Sequence, residues 1–302
     1  MYKVNVSVPA VITNVGPGYD VLGLALNLRN TIEMSLNPSD RLTVQVRGEG
    51  KGRLPEDYYN PVMTAAIALF QQLEQAPVGL NVVCTNHIPL DVGLSARVAM
   101  IVGGLVGANN LLGSPYRRED LIGLATEICG QPEAVVTAMR GGLGICASDA
   151  EGIFYRALEI APLRVVVALP NLRDYEPRLR DDLPPQVPMS DAVHNVGHAA
   201  LLIEALRSTD FKLLRYALRD ELHEPYRTVY IPGYEAVVDA AHEAGAIGVV
   251  LCGAGPAMLA FATYNHAQIE SAMQGAFRAV GVEARTWALS VDSQGVVISV
   301  VQ

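Results

Sequence analysis

Positive charge is in short supply. Of 302 residues, 22 are Lys or Arg against 31 Asp or Glu, a formal charge of −9, and no cluster of basic side chains stands out. A nucleic-acid-binding surface needs a basic face, so that class of partner is not expected. Cysteine is also sparse. Cys84, Cys129, Cys146 and Cys252 lie far apart and none forms a C-x-x-C pair. Neither a disulfide framework nor a zinc site is expected, and a reducing cytoplasm suits the chain. Long apolar runs are missing too. Gly, Asn or a charged residue interrupts each stretch well short of the ~20 residues that span a bilayer. The opening MYKVNVSVPA alternates like a strand and lacks the basic-then-apolar layout of a secretory signal. Tandem repeats and low-complexity tracts are absent. The expectation is a cytoplasmic protein with neither membrane nor nucleic acid as partner.

What remains is a well-buried globular chain, 50% apolar and 18% charged. Val4, Val6 and Val8 alternate with polar neighbours, which predicts a strand that Pro9 ends. Further strands are predicted over 21–28, 31–36, 42–47, 78–84, 143–147, 153–156, 164–169, 247–252, 258–263 and 283–289. Helical periodicity covers 61–75, 95–112, 118–128, 133–139, 190–207, 210–222, 234–244 and 266–280. Strands and helices mix without a regular βαβα rhythm, so the fold class is α+β. A boundary near residue 160 divides the chain into comparable halves, 1–160 and 161–302. Residues 170–188 hold five prolines and little periodicity. Long connections of this kind are often functional.

Residues 88–99, IPLDVGLSARVA, carry the first chemical signal. A strand leads through Pro89 into a glycine turn at Gly93 and then an apolar helix. Backbone N–H groups converge at such a helix start and its dipole favours phosphate. Asp91 works against this. Two unit charges ~5 Å apart at an effective dielectric of ~20 repel by roughly 3 kcal/mol. Ser95 stands where a helix N-cap is expected.

Other segments give this loop a context. Residues 8–26 read VPAVITNVGPGYDVLGLAL, residues 251–257 read LCGAGPA, residues 187–206 read VPMSDAVHNVGHAALLIEAL, and residues 223–227 read HEPYR. In order and spacing these resemble the motifs of the GHMP small-molecule kinases, and the homoserine kinases most closely. The resemblance covers nearly the whole chain. It implies a ribosomal-S5-domain-2-like N-terminal domain over 1–160 and a ferredoxin-like C-terminal domain over 161–302. It also implies ATP and Mg²⁺ as cofactors, homoserine as a small amino-acid-like substrate, a place in threonine biosynthesis, and a homodimer as a common assembly.

The same resemblance assigns roles. Asp20 would sit near the substrate hydroxyl, and Asn14, Glu133 and Arg180 would shape the substrate site. Arg227 would support phosphoryl transfer, and Glu127 would hold Mg²⁺. Pro89, Gly93, Ser95, Arg97, Gly253 and Gly255 would surround the phosphates, and Asn60 would lie on the adenine side. Simpler readings stand beside several of these. The Gly16-Pro17-Gly18 and Gly253–Gly255 segments suit tight turns alone, Glu127 suits a solvated helix face, and Asn60 suits an N-cap before Pro61. Cys252 reads as a buried apolar thiol. His194 and His198, one helical turn apart, lack the pattern of a zinc site.

The chain also departs from the family's pattern. Asp91 and Ser95 replace glycines, Ala96 and Arg97 replace hydroxyl residues, and Val11, Ile12, Cys252 and Ala257 replace others. Gln131 stands for a histidine, and Ala134 for an amide. Arg97 has two readings: it supplies charge that a metal would supply, or it pairs with Asp91 and closes the site. The opposite charge in the same loop favours closure. The expected function is a homoserine-kinase-like phosphotransferase with weak or absent turnover. The alternatives are an active kinase with a remodelled loop and a non-catalytic ligand-binding or oligomer-partner protein.

Overall fold

The computed structural model describes residues 3–172, 175 and 183–301. In chain order its elements are β1 (Lys3–Thr13), β2 (Leu22–Leu36), β3 (Leu42–Gly48), α1 (Pro61–Gln72), β4 (Leu80–Asn86), α2 (Ala96–Leu111), α3 (Arg118–Cys129) and α4 (Pro132–Arg140). They continue with β5 (Leu143–Asp149), β6 (Gly152–Leu158), β7 (Arg164–Pro170), α5 (Met189–Ser208), α6 (Phe211–Ala217) and α7 (Glu224–Arg227). A 3₁₀ turn (Thr228–Tyr230) precedes α8 (Tyr234–Glu243), β8 (Gly248–Leu251), β9 (Met258–Ala262), α9 (His266–Ala279), β10 (Ala284–Ser290) and β11 (Val297–Val301).

Two sheets organise the α+β fold. Among the described residues a seven-stranded sheet runs β11-β1-β2-β4-β3, with β5 on β2 and β6 on β5, and a four-stranded sheet runs β10-β7-β9-β8. Residue 160 falls between the strands of the two sheets, with one exception. Strand β11 returns to pair antiparallel with β1, Ser7 opposite Val297, so the 161–302 segment contributes an edge to the first sheet.

Several expectations are corrected. Pro9 does not end β1; the strand runs on to Thr13 with a register shift between Pro9 and Ala10. Proline has no N–H for the ladder, and the irregularity absorbs that loss. The segments predicted over 21–28 and 31–36 are one strand, β2. The helix predicted over 210–222 stops at Ala217, and α7 and β11 were not expected. Short elements carry too little periodicity to read.

Helix α2 fixes the position of the site. Ala96 and Val98 through Asn109 are all buried, so the helix is enclosed rather than amphipathic. Its glycines permit this: a β-carbon on Gly104 would lie 2.3 Å from the Val62 carbonyl oxygen of α1. Wedged there, α2 directs its N-terminus toward the loops between the two sheets.

Candidate active site

Three loops meet at the start of α2. The Gly253 N–H donates to the Thr13 carbonyl at 3.0 Å, the Val11 N–H to the Leu94 carbonyl at 3.3 Å, and the Ala257 N–H to the Val92 carbonyl at 3.3 Å. Residues 11–20, 88–95 and 251–257, distant in sequence, are thus joined backbone to backbone. Asn30 anchors the entry to the middle loop. Its buried Oδ1 accepts from the N–H groups of His87 and Ile88 at 2.8 and 3.0 Å. Nothing in the sequence pattern marks Asn30, because its partners lie far along the chain, just past the end of β4.

The middle loop keeps a glycine-type backbone under non-glycine side chains. Asp91, Gly93 and Ser95 have φ of 60°, 85° and 52°. Glycine is favoured in this left-handed region, and Asp tolerates it better than most residues. Ser95 occupies the N-cap position of α2, but its side chain makes no capping bond. The expected capping serine is corrected on that point: with φ positive, its hydroxyl is not delivered to the first-turn N–H groups.

The predicted Asp91–Arg97 pair is also corrected. Asp91 pairs with Arg53 instead, at 3.4 Å and with both side chains about two-thirds exposed. Such pairs are worth at most about 1 kcal/mol. Arg97 is exposed and lines a cavity of about 250 Å³ with Ser95, Ala96, Gly93 and Cys129. Its neighbour Cys129 has its thiol pKa pushed up to about 12, chiefly by burial, with the Arg97 charge pulling the other way.

This cavity is the middle of a longer cleft. On one side it shares Asp91 and Val92 with a space of about 800 Å³ that Pro89, Pro256, Tyr175 and Arg285 also line. Arg285 bonds Glu49 at 2.6 Å along that wall. On the other side it shares Thr13, Cys129, Gln131 and Ala254 with a space of about 390 Å³ lined by Asn14, Tyr19, Asp20, Glu133 and Arg227. The residues expected on the substrate side, Asn14, Asp20, Glu133 and Arg227, are therefore brought together. Asn14 accepts the Asp20 N–H at 2.9 Å, which shapes the turn. Glu133 and Arg227 are buried, at 4% and 3% exposure. Gly253 and Gly255, with φ of 56° and 84°, form the turn above them.

The other assigned residues lie away from these spaces or outside the described residues. Glu127 is exposed on α3 and lines none of these spaces; one helical position cannot face both solvent and cleft, and Cys129 is the α3 residue at the cleft. Asn60 is fully buried as the N-cap of α1. Its Oδ1 accepts the Val62 N–H at 3.0 Å and its Nδ2 donates to the Pro55 carbonyl at 2.8 Å, so it does not face the cleft. Arg180 lies outside the described residues. Cys252 is fully buried, and burial pushes its thiol pKa well up.

Residues that the sequence did not single out complete the site. Tyr19 stands inside the first motif, and its ring centroid lies 5.5 Å from the Arg227 guanidinium carbon. Asp220 accepts the N–H groups of His223 and Glu224, both at 2.8 Å, and the Asn195 amide at 2.6 Å. Glu224 accepts the Leu251 N–H at 2.7 Å. Burial of its carboxyl, reinforced by nearby Asp220, pushes its pKa up to about 8.

The donor set fits phosphate better than a protein-held cation. The first-turn N–H groups of α2, which a helix leaves without intrahelical partners, together with the Ser95 hydroxyl and the Arg97 guanidinium, suit an anion. Mg²⁺ requires hard oxygen ligands in octahedral array. Near α2 the cavity is lined by Thr13, Asp91 and Ser95 beside the neutral thiol of Cys129 and by Arg97, and among the described residues no group of three His, Cys, Asp or Glu gathers to hold a metal with protein ligands alone.

Sequence comparison accords with this geometry. Residues 60–144 match the GHMP kinases N terminal domain and residues 202–279 the GHMP kinases C terminal domain. A homoserine kinase of Moorella thermoacetica is 38% identical over 294 residues, 97% of this chain and 99% of that one. The chain belongs to the GHMP kinases. Within that family a homoserine kinase of Carboxydothermus hydrogenoformans is 39% identical over 280 residues, 92% of this chain and 91% of its own. The solved homoserine kinase from Cytophaga hutchinsonii superposes with a TM-score of 0.89 at 28% identity, covering 98% of this chain and 97% of its own. The fold also matches L. major mevalonate kinase, with a TM-score of 0.74 at 16% identity and 96% of each chain covered.

Proposed function

We propose that this GHMP kinase is a homoserine-kinase-type phosphotransferase whose transfer step is slow. The observation that carries this reading is the continuity of the cleft. The space at the start of α2 opens through Thr13, Cys129, Gln131 and Ala254 onto the space lined by Asn14, Asp20, Glu133 and Arg227. A phosphate held at the helix start would thus meet an alcohol held on the substrate side. Residues 1–160 with the returning β11, and residues 161–296, act as the two halves that enclose it.

In this reading ATP supplies the phosphoryl group, and its base and ribose take the larger space beside Pro89. Arg97 and the first N–H groups of α2 face the phosphates. Arg227 offers fixed positive charge to the carboxylate of a homoserine-like amino acid. Asp20 and Asn14 border the hydroxyl that is phosphorylated. Phosphoryl transfer depends on positioning and electrostatics, so a remodelled cradle retains part of its effect. Slow transfer follows from what is missing. Loss of one well-placed donor costs ~100- to 1,000-fold in rate, and Ala96, Ala134 and Ala257 offer no side-chain donor. Magnesium, if used, arrives on the nucleotide.

The deciding experiment is calorimetric ATP binding with and without Mg²⁺, followed by ADP release in the presence of L-homoserine. The expected outcome is ATP binding that depends weakly on Mg²⁺, with homoserine-stimulated turnover well below that of the Moorella relative. ATP binding without any turnover supports the second reading, a non-catalytic ligand-binding protein, to which the missing donors at Ala96, Ala134 and Ala257 also point. No ATP binding, unrestored by Asp91→Gly, Ser95→Gly, Ala96→Ser and Arg97→Ser together, would sink both.

A further inference from the structure

Beneath the substrate-side space lies a histidine that none of the roles above uses. His223 is fully buried, at 0% exposure. Its Nε2 lies 2.9 Å from the Gly16 carbonyl oxygen, and its Nδ1 lies 3.4 Å from Nη1 of Arg227. Its ring centroid is 5.5 Å from that of Tyr19. The same Arg227 nitrogen reaches the Gly253 carbonyl at 3.5 Å. One imidazole therefore touches the first glycine turn, the arginine of the substrate side and, through that arginine, the third loop.

We propose that His223 is a positioning residue: a neutral imidazole seated on the Gly16 turn, whose bare Nδ1 is the acceptor that fixes where the Arg227 guanidinium points. This rests on the homoserine-kinase-type reading of the site. The two neighbours dictate the tautomer. A carbonyl oxygen only accepts, so Nε2 carries the hydrogen. A guanidinium only donates, so Nδ1 is the bare acceptor. A second proton on Nδ1 would face the arginine with like charge.

The surroundings agree. Burial holds the His223 pKa below its ordinary value, and the Arg227 charge adds to that; Asp220 and the carbonyls of Gly16 and Asn14 oppose it. Asp220 lies 3.7 Å from Nε2, but its oxygens already accept two backbone N–H groups and the Asn195 amide. It acts as the anchor of the turn into α7 and not as a proton partner for the ring. Asn195 also donates to the Pro17 carbonyl at 3.2 Å, so α5 braces the same glycine turn from the other side.

Three substitutions separate positioning from mere structure. Asparagine places an oxygen where Nδ1 stands and keeps the Arg227 acceptor. Glutamine reaches the Gly16 carbonyl but withdraws the acceptor from Arg227, and leucine removes both. The test measures L-homoserine and ATP affinities by calorimetry for wild type, His223→Asn, His223→Gln and His223→Leu, with ¹⁵N-histidine NMR of the wild type across neutral pH. Homoserine affinity is expected to fall about tenfold or more in the Gln and Leu variants, as for a lost hydrogen bond to a charged group. It should stay near wild type in the Asn variant, and ATP affinity should hold throughout. The NMR spectrum should show a neutral ring protonated at Nε2.

Equal losses of homoserine affinity in all three variants, or lowered thermal stability with homoserine affinity intact, would overturn the proposal. So would an imidazolium or an Nδ1-protonated ring. If wild type binds no homoserine, the proposed substrate is wrong. The positioning role is then decided by the NMR tautomer and by whether the Arg227 guanidinium resonances shift in His223→Gln but not in His223→Asn.

Discussion

The carbonyl oxygen of Cys252 lies 1.8 Å from where a β-carbon on Gly93 would stand. The phosphate loop and the third loop therefore touch through bare backbone, and this contact holds the cleft's two sides at fixed spacing. Gly93→Ala would force them apart at a residue that also has φ of 85°. Stability is expected to fall by about 3 kcal/mol or more, as for severe overpacking of backbone against backbone. Gly275→Ala is the control, since open space surrounds that helical glycine and alanine there should add up to about 1 kcal/mol. Urea unfolding of the two variants checks both; equal midpoints would refute the contact.

Arg97 is free of Asp91, so its charge is available to a phosphate. Arg97→Met is expected to raise the Kd for ATP about tenfold, the scale of one charge-assisted hydrogen bond. Asp91→Asn frees Arg53 and also removes a carboxylate that borders the same cavity, so it should lower Kd, by up to about tenfold once solvent screening of the exposed charge is allowed for. Calorimetric titration decides it. An unchanged Kd in Arg97→Met would mean that the guanidinium faces water alone.

Asn60 is a structural cap. Asn60→Ala should cost about 1–2 kcal/mol of stability and leave the Kd for ATP at low temperature within about twofold. Thermal unfolding and titration on the same sample separate the two effects. Lost ATP affinity with unchanged stability would return Asn60 to the adenine side.

Glu224 predicts a pH dependence. Its pKa rises from 4.5 to about 8 in the folded protein. The folded state thus holds a proton that the unfolded chain gives up, so the stabilising effect is complete below about pH 4.5 and is lost as pH rises through about 8. Glu224→Gln imitates the protonated carboxyl, still accepts the Leu251 N–H, and should flatten this part of the profile. Urea midpoints across that window, compared between the two proteins, provide the measurement. Parallel profiles would show that the carboxyl is ionised throughout.

Much of this was legible from local pattern. The periodicities of α2, α3 and α9 and the alternation of Val4, Val6 and Val8 follow from side-chain geometry within one element. The glycine turns at Gly16, Gly93 and Gly253 announce themselves because few other residues take their backbone angles. Kinship was legible as well, since the motif order survives in 8–26, 251–257 and 223–227. Asp91 and Ser95 were harder. They break a glycine pattern in sequence, yet the backbone beneath them keeps the left-handed conformation.

Partnership was not legible. Asp91 and Arg97 are six positions apart with opposite charges, and proximity in sequence suggested a pair. In the folded chain Asp91 pairs with Arg53, while Arg97, in the first turn of α2, borders the same cavity without an ion pair to Asp91 among the described residues. Glu127 and Cys129 differ by two positions on α3, about 200° around the helix, so a carboxylate that reads as a ligand faces water while a thiol takes the cleft. His223 meets Gly16 across 207 positions. The sequence determined which elements form, where the chain can turn tightly and which family it resembles, because those follow from neighbours along the chain. The tertiary structure decided which side chains face the cleft and which face one another, because helix phase and loop closure bring together residues whose spacing in sequence carries no record of the contact.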